Sequence, residues 1–221
     1  MSFTYRYQMQ NGITIVHIQA TGDYPQQLEE IQNLAFPSLH PDERFLADHY
    51  YEHVKVFPEG QFMALDGDKV VGSTSTIRYA FDFEDSHHTF AEMLGGRVLS
   101  THDPAGDWLY GLDVAVHPDY RRLRIARGLY YARHQTVRQL GLRGQLAGGM
   151  ISGYGALKHQ LSAQDYLEKL KSGEIADPTL TAQMKVGFEA LQLLPGYLDD
   201  PISDSYAVLI CLMAEKDVEG P

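Results

Sequence analysis

One stretch constrains this chain more than any other. Residues 114–129 read Val-Ala-Val-His-Pro-Asp-Tyr-Arg-Arg-Leu-Arg-Ile-Ala-Arg-Gly-Leu. An apolar run stops at a His-Pro turn, a basic cluster follows, and a helix opens at once. The first N–H groups of a helix have no partner within it, and the helix dipole adds positive character at that end. An anion is held there mostly by main chain. The order strand, arginine loop, helix therefore predicts a diphosphate cradle inside an α/β layer structure, with arginines closing over the ligand.

Composition sharpens that reading. The formal net charge is −11, which argues against general nucleic-acid binding and against an anionic membrane surface. Arg121, Arg122, Arg124, Arg127 and Arg133 stand out as a local basic patch in an acidic chain. No repeat, low-complexity segment or membrane-length apolar run is present. The opening Met-Ser-Phe-Thr-Tyr-Arg lacks the apolar core of a secretory leader, so a cytoplasmic protein is expected. The single cysteine, Cys211, lies in the apolar run 207–213. A buried strand, not a reactive thiol, is its expected home.

Periodicity gives the rest of the chain. Residues 12–20 are rich in β-branched side chains and read as a first strand. A helix follows from Asp23 as cap and Pro25 in its first turn, and a second covers 42–53. Residues 62–72 form a hairpin about Asp66-Gly67, and its second strand continues toward Tyr79. Further strands are expected over 109–116, 144–151, 189–193 and 205–214. Helices are expected over 123–140, ending at Gly141, near 163–171 and over 179–185. Two loop-rich insertions, near 81–107 and 152–178, shape the acceptor pocket in this reading. The whole of 1–221 is expected to be one domain built on a mixed, mostly antiparallel sheet flanked by helices.

At this point the residues resemble a known family. Arg121-Arg122-Leu123-Arg124-Ile125-Ala126 is similar to the CoA-binding loop of the Gcn5-related N-acetyltransferase (GNAT) superfamily. Arg124 stands where that loop carries glycine; a side chain fits there if the backbone stays right-handed. The hairpin at 68–72 and the Val186-Gly187-Phe188-Glu189 turn resemble further landmarks of the family in the same order. Thr101-His102-Asp103-Pro104, the run 109–113, the run 148–154, Asp177-Pro178 and the run 194–198 resemble a subgroup. Its members are the acetyltransferase-type domains that precede some carbon–nitrogen hydrolase domains. This chain is expected to be a free-standing version.

The resemblance implies an α/β fold whose fourth and fifth strands splay around CoA. It implies direct transfer of an acetyl or other acyl group from acetyl-CoA to a primary amine of a small molecule or peptide. Val114, Ala115, Val116, Arg121, Arg122, Leu123, Arg124, Ile125, Ala126, Arg127 and Gln183 would line the CoA site. Asp113, an acid in an apolar strand, is the expected base, with Tyr110 as alternate. The family often supplies an acid tyrosine four residues before the Gly-Phe glycine. Gln183 holds that place here, so Tyr154 is the substitute acid. An alternative is a non-catalytic acyl-CoA sensor or docking module. No nucleic acid, membrane or metal is expected as partner, and a homodimer is compatible with the family. His87, His88 and His102 match no zinc spacing. Walker, dinucleotide and serine-elbow motifs are absent. Gly148, Gly149, Gly153 and Gly155 read as a strand-end bulge or a substrate loop.

Overall fold

The computed structural model describes residues 5–221. Residues 1–4, on which the expectation about a leader partly rests, lie outside the described residues. Ten strands and six helices are found among the described residues. The strands are β1 (Arg6–Gln8), β2 (Thr14–His17), β3 (Phe62–Asp66), β4 (Lys69–Thr74), β5 (Thr76–Tyr79), β6 (Trp108–Gly111), β7 (Ala115–Val116), β8 (Gly144–Met150), β9 (Glu189–Leu194) and β10 (Ala207–Met213). The helices are α1 (Tyr24–Ala35), α2 (Ala47–Val56), α3 (Phe90–Leu94), α4 (Ile125–Gln139), α5 (Ala163–Ser172) and α6 (Leu180–Val186).

Two expected strands break, and the breaks shape the molecule. The strand from the 62–72 hairpin toward Tyr79 is interrupted at Ser75, and the strand over 109–116 is interrupted at 112–114. The ladder consequently divides into two halves, β1-β2-β3-β4-β7 and β5-β6-β8-β10-β9. Each broken strand starts in one half and finishes in the other. Every pairing is antiparallel except β6 with β8, which run parallel from Trp108↔Gly144 to Gly111↔Ala147. After Gly111 the chain leaves β8. It pairs next with β4 through Ser73↔Ala115 and Gly72↔Val116. The result is the splay that the resemblance implied.

Helices cover both faces. Leu28 and Ile31 of α1, Tyr50 of α2 and Phe90 at the start of α3 pack with Met63, Ile77, Trp108, Leu146 and Leu209. On the other face Ile125, Leu129 and Ala132 of α4 meet Ile15, Phe62, Ala64 and Val71. Each such fully buried leucine contributes about 2 kcal/mol. Helices α5 and α6 close the same side over Ala147, Val208 and Ile210. Cys211 is buried in β10, as expected, and burial pushes its thiol up to about 11.

Several boundaries move. The helix expected over 42–53 starts only at Ala47. Pro41–Glu43 form a separate short turn, and Arg44 and Leu46 are extended. Asp23 sits at the N-cap of α1 without a side-chain cap bond. Its carboxylate accepts from the Gln27 side chain instead, at 3.0 Å. Gly148 and Gly149 are neither bulge nor loop: both lie in regular β8 pairing with Leu209 and Val208. A Cβ on Gly148 would fall 2.2 Å from Tyr197 Cζ, and one on Gly149 2.6 Å from Gln183 Oε1. Close side-chain approach explains these glycines.

Candidate active site

The two strand breaks face each other and are stitched together. The Leu112 N–H donates to the Ser75 carbonyl at 3.0 Å. The Ser75 N–H donates to Asp113 Oδ1 at 2.6 Å. Thr74 Oγ1 donates to the Asp113 carbonyl at 2.6 Å, and Gln32 Nε2 donates to Asp113 Oδ2 at 2.5 Å. Asp113 and Val114 belong to no strand, so their main chain is left beside the gap where β7 departs from β8. That gap is a cavity of about 90 Å³.

Asp113 is enclosed by protein, yet it keeps some surface, and it lines this cavity. Burial raises its carboxyl from the ordinary 3.8 to about 6. The Ser75 and Gln32 bonds and the Arg133 charge limit the rise. A carboxylate tuned near neutrality is suited to proton transfer. Gln32, Glu43, Phe45, Phe90, Tyr130, Arg133, Gln183 and Tyr197 complete much of the wall.

Of the expected site residues Asp113, Val114 and Gln183 line the cavity, while Tyr154, Tyr110 and the residues of the arginine loop do not. Tyr154 does not line it. Its hydroxyl donates to the Leu161 carbonyl at 3.3 Å, and its ring packs on Tyr166 and Tyr206 beneath α5. Tyr110 is fully buried behind the wall. Its hydroxyl joins His88 Nε2 at 2.6 Å and Tyr197 at 2.9 Å, and burial raises its pKa well above 10. Only the Tyr197 end of that chain lines the cavity. The insertion 152–178 supplies no wall residue, and 81–107 supplies only Phe90. Wall residues come instead from α1, the residues just after it, and 197–198. Sequence reasoning missed Gln32, Glu43, Tyr130 and Tyr197. It also placed Arg133 in the surface patch, whereas Arg133 is buried.

The arginine loop leads directly into the start of α4. Arg121, Arg122, Leu123 and Arg124 are exposed, and α4 begins at Ile125. Its first turn closes through the Gly128 N–H to the Arg124 carbonyl at 3.0 Å. The preceding N–H groups of the helix are the orphan donors of any N-terminus. One expectation fails: Arg124 is left-handed, at φ 62°, and so is Arg122, at φ 68°. Arg124 thus takes the left-handed backbone that favours glycine. Arg127 turns away to pair with Glu219 at 2.9 Å. Ala115 and Val116 are held in β7, and Ala126 packs against the α5–α6 side.

These features fit CoA on the chain's own evidence. A helix N-terminus preceded by exposed arginines lies on the same helix as Tyr130 and Arg133 of the cavity wall, and in that wall buried Gln183 Oε1 and Arg133 Nε and Nη2 have no partner among the described residues. The comparisons agree. The Acetyltransferase (GNAT) family profile matches residues 26–150. The chain is 36% identical over 182 residues to the "Probable hydrolase YhcX" of Bacillus subtilis, covering 82% of this chain and 35% of that one. It is 31% identical over 186 residues to the "Uncharacterized N-acetyltransferase YkwB" of the same organism, covering 84% and 82%. Among solved structures it is similar to the GphF GNAT-like decarboxylase in complex with isobutyryl-CoA. That match has a TM-score of 0.74 at 21% identity, over 91% of this chain and 99% of that one. The chain belongs to the GNAT acetyltransferase family, whose enzymes take acetyl-CoA as cosubstrate. It spans about a third of the length of YhcX and most of YkwB. Among the described residues no helix is long and apolar enough to cross a membrane. Nor does any group of three or more His, Cys, Asp or Glu stand where it could hold a metal ion.

Proposed function

We propose that this chain transfers an acyl group from acetyl-CoA directly to a primary amine of a small molecule or peptide. The observation that carries the reading is Asp113: a carboxyl raised to about 6, fixed at the strand break and lining the cleft. In this reading the N-terminus of α4, with Arg121, Arg122 and Arg124, holds the diphosphate. The Val114 N–H, free of any strand, polarises the thioester oxygen. Asp113 takes the ammonium proton of the acceptor, directly or through a water, so that the neutral amine attacks. Gln32 and the Ser75 N–H keep that carboxylate oriented while it does so. The leaving thiolate needs no strong acid. Tyr197, hydrogen-bonded to Tyr110 and through it to His88, brings one hydroxyl chain to the wall.

Acetyl-CoA at 100 times its Kd should stabilise the protein by about 2.7 kcal/mol. No thermal shift at millimolar acetyl-CoA would overturn the reading. Release of free CoA thiol across an amine panel then separates a transferase from a non-catalytic acyl-CoA sensor. The sensor reading is favoured by one observation: Gln183 stands where an acid tyrosine is common, and its Nε2 is committed to the Tyr130 hydroxyl at 3.0 Å.

A further inference from the structure

Arg133 is an anomaly that acyl transfer to an amine does not use. It projects from the middle of α4 into the interior, and only 1% of it is exposed. A buried charge normally finds a countercharge, because leaving it unpaired costs several kcal/mol. Here Nε and Nη2 have no hydrogen-bond partner among the described residues. Asp113 stands close enough for its field to be felt but is not ion-paired with Arg133, and Ser75 and Gln32 hold its two oxygens. The guanidinium is fixed by its surroundings. Its Cζ lies 5.3 Å from the centre of the Tyr130 ring. Gly111 makes room for it, since a Cβ there would fall 1.8 Å from Nη2.

Nε and Nη2 are sealed within the protein, so Nη1, the remaining nitrogen, is the one through which Arg133 meets the cavity, and an N–H there donates a charge-assisted bond to a carboxylate. Arg133 is part of the cavity wall beside Asp113 and Val114. We infer that Arg133 makes the end of this cleft a carboxylate-binding pocket, so that the group handled at the thiol end of CoA carries a carboxylate. The inference rests on the CoA reading above and deepens it. A cavity of about 150 Å³ holds benzene, so one of about 90 Å³ suits a short chain. Two sources share this chemistry. The carboxylate belongs either to the acyl group, as in a short dicarboxylic monothioester, or to an α-amino acid acceptor.

The test compares ratios. Affinities for succinyl-CoA and acetyl-CoA are measured by calorimetry on the full chain. Rates of thiol release from acetyl-CoA are measured with alanine and with ethylamine. A charge-assisted hydrogen bond implies a preference of about tenfold or more for the carboxylate-bearing member of one pair. A preference in the first pair assigns the pocket to the donor, and in the second to the acceptor. Arg133→Met should bring the preferred ratio close to one. Arg133→Lys, which keeps the charge without the guanidinium, should fall between. Circular dichroism checks that both variants fold. Ratios near one in the wild type, or ratios that survive in Arg133→Met, overturn the inference while leaving the acetyl-CoA reading intact. If neither thioester binds, the CoA reading fails and the pocket falls with it.

Discussion

The two ends of the cleft use arginine in opposite ways. At the proposed cradle, Arg121, Arg122 and Arg124 are exposed, and the groups proposed to hold the ligand are main-chain N–H donors at the start of α4. At the inner end, Arg133 is buried, and the groups that matter are side chains with shifted protonation. Charges in solvent are screened, and each contributes little. Charges in the interior interact strongly and are costly when unpaired. Binding at the cradle should therefore tolerate single substitutions, while the inner end should not.

The largest effect that could break this contrast lies at Asp113. Asp113→Asn keeps shape but cannot take a proton. Turnover should fall about 100-fold or more, with acetyl-CoA affinity changed less than about twofold. Thiol-release kinetics and calorimetry check both halves. If turnover survives, Asp113 is not the base.

Protonation at the inner end should also appear in stability. Asp113 titrates near 6 when folded and near 3.8 when unfolded. A raised carboxyl favours the folded state while it is protonated. Its contribution is complete below pH 4 and is lost as pH rises through about 6. Asp113→Asn should therefore gain on the wild type across that window, by up to about 3 kcal/mol. His53 works in the opposite sense. It is fully buried between Phe45 and Tyr50, and Nε2–H donates to the Arg97 carbonyl at 2.8 Å. Burial lowers its pKa from 6.5 to about 4. Its contribution is complete above 6.5 and is lost as pH falls toward 4, again by up to about 3 kcal/mol. Between pH 4 and 6.5 these two contributions offset each other. Denaturant unfolding of Asp113→Asn should uncover an acid loss, and His53→Gln an alkaline one.

The same contrast explains what the sequence could disclose. The cradle is contiguous: a turn, four arginines and a helix start lie within a dozen residues, so its chemistry and its family are legible from order alone. The hairpin, α4 and the last strand follow from periodicity for the same reason, and the Gly-Phe turn from its resemblance to the family. The inner end is assembled from α1, the 112–114 break, α4, α6 and Tyr197, and no local pattern joins them. The break itself was hidden because 109–116 is apolar throughout, apart from Asp113. Arg133 did leave a trace. It lies four residues from Leu129 and four from Val137, both fully buried, so helical spacing alone puts it on the inward face. Its charge drew it into the surface patch instead.

A smaller effect tests whether Gly111 exists for Arg133. Gly111→Ala forces the guanidinium to move in a packed interior, and overpacking of this kind costs about 1–3 kcal/mol. Arg133→Met in the same chain removes the obstructed group. The double variant should recover most of the loss, giving a coupling well outside additivity. Additive losses would mean that Gly111 is needed for something other than Arg133.

The smallest effect belongs to the cradle, at Arg124. A left-handed backbone costs an ordinary residue about 1–2 kcal/mol, and glycine gives back about 0.5–1 kcal/mol through its freer unfolded chain. Arg124→Gly should therefore stabilise by up to about 1 kcal/mol, read as a rise in Tm of a few degrees. The same change removes one solvent-exposed charge beside the helix N-terminus. Affinity for acetyl-CoA should weaken less than about fivefold at low ionic strength, and the difference should vanish in about 1 M salt, where screening is nearly complete. A tighter complex at every salt concentration would reverse the assignment. It would mean that the Arg124 side chain crowds the diphosphate more than its charge attracts it, and that glycine serves this loop through close approach as well as through its φ.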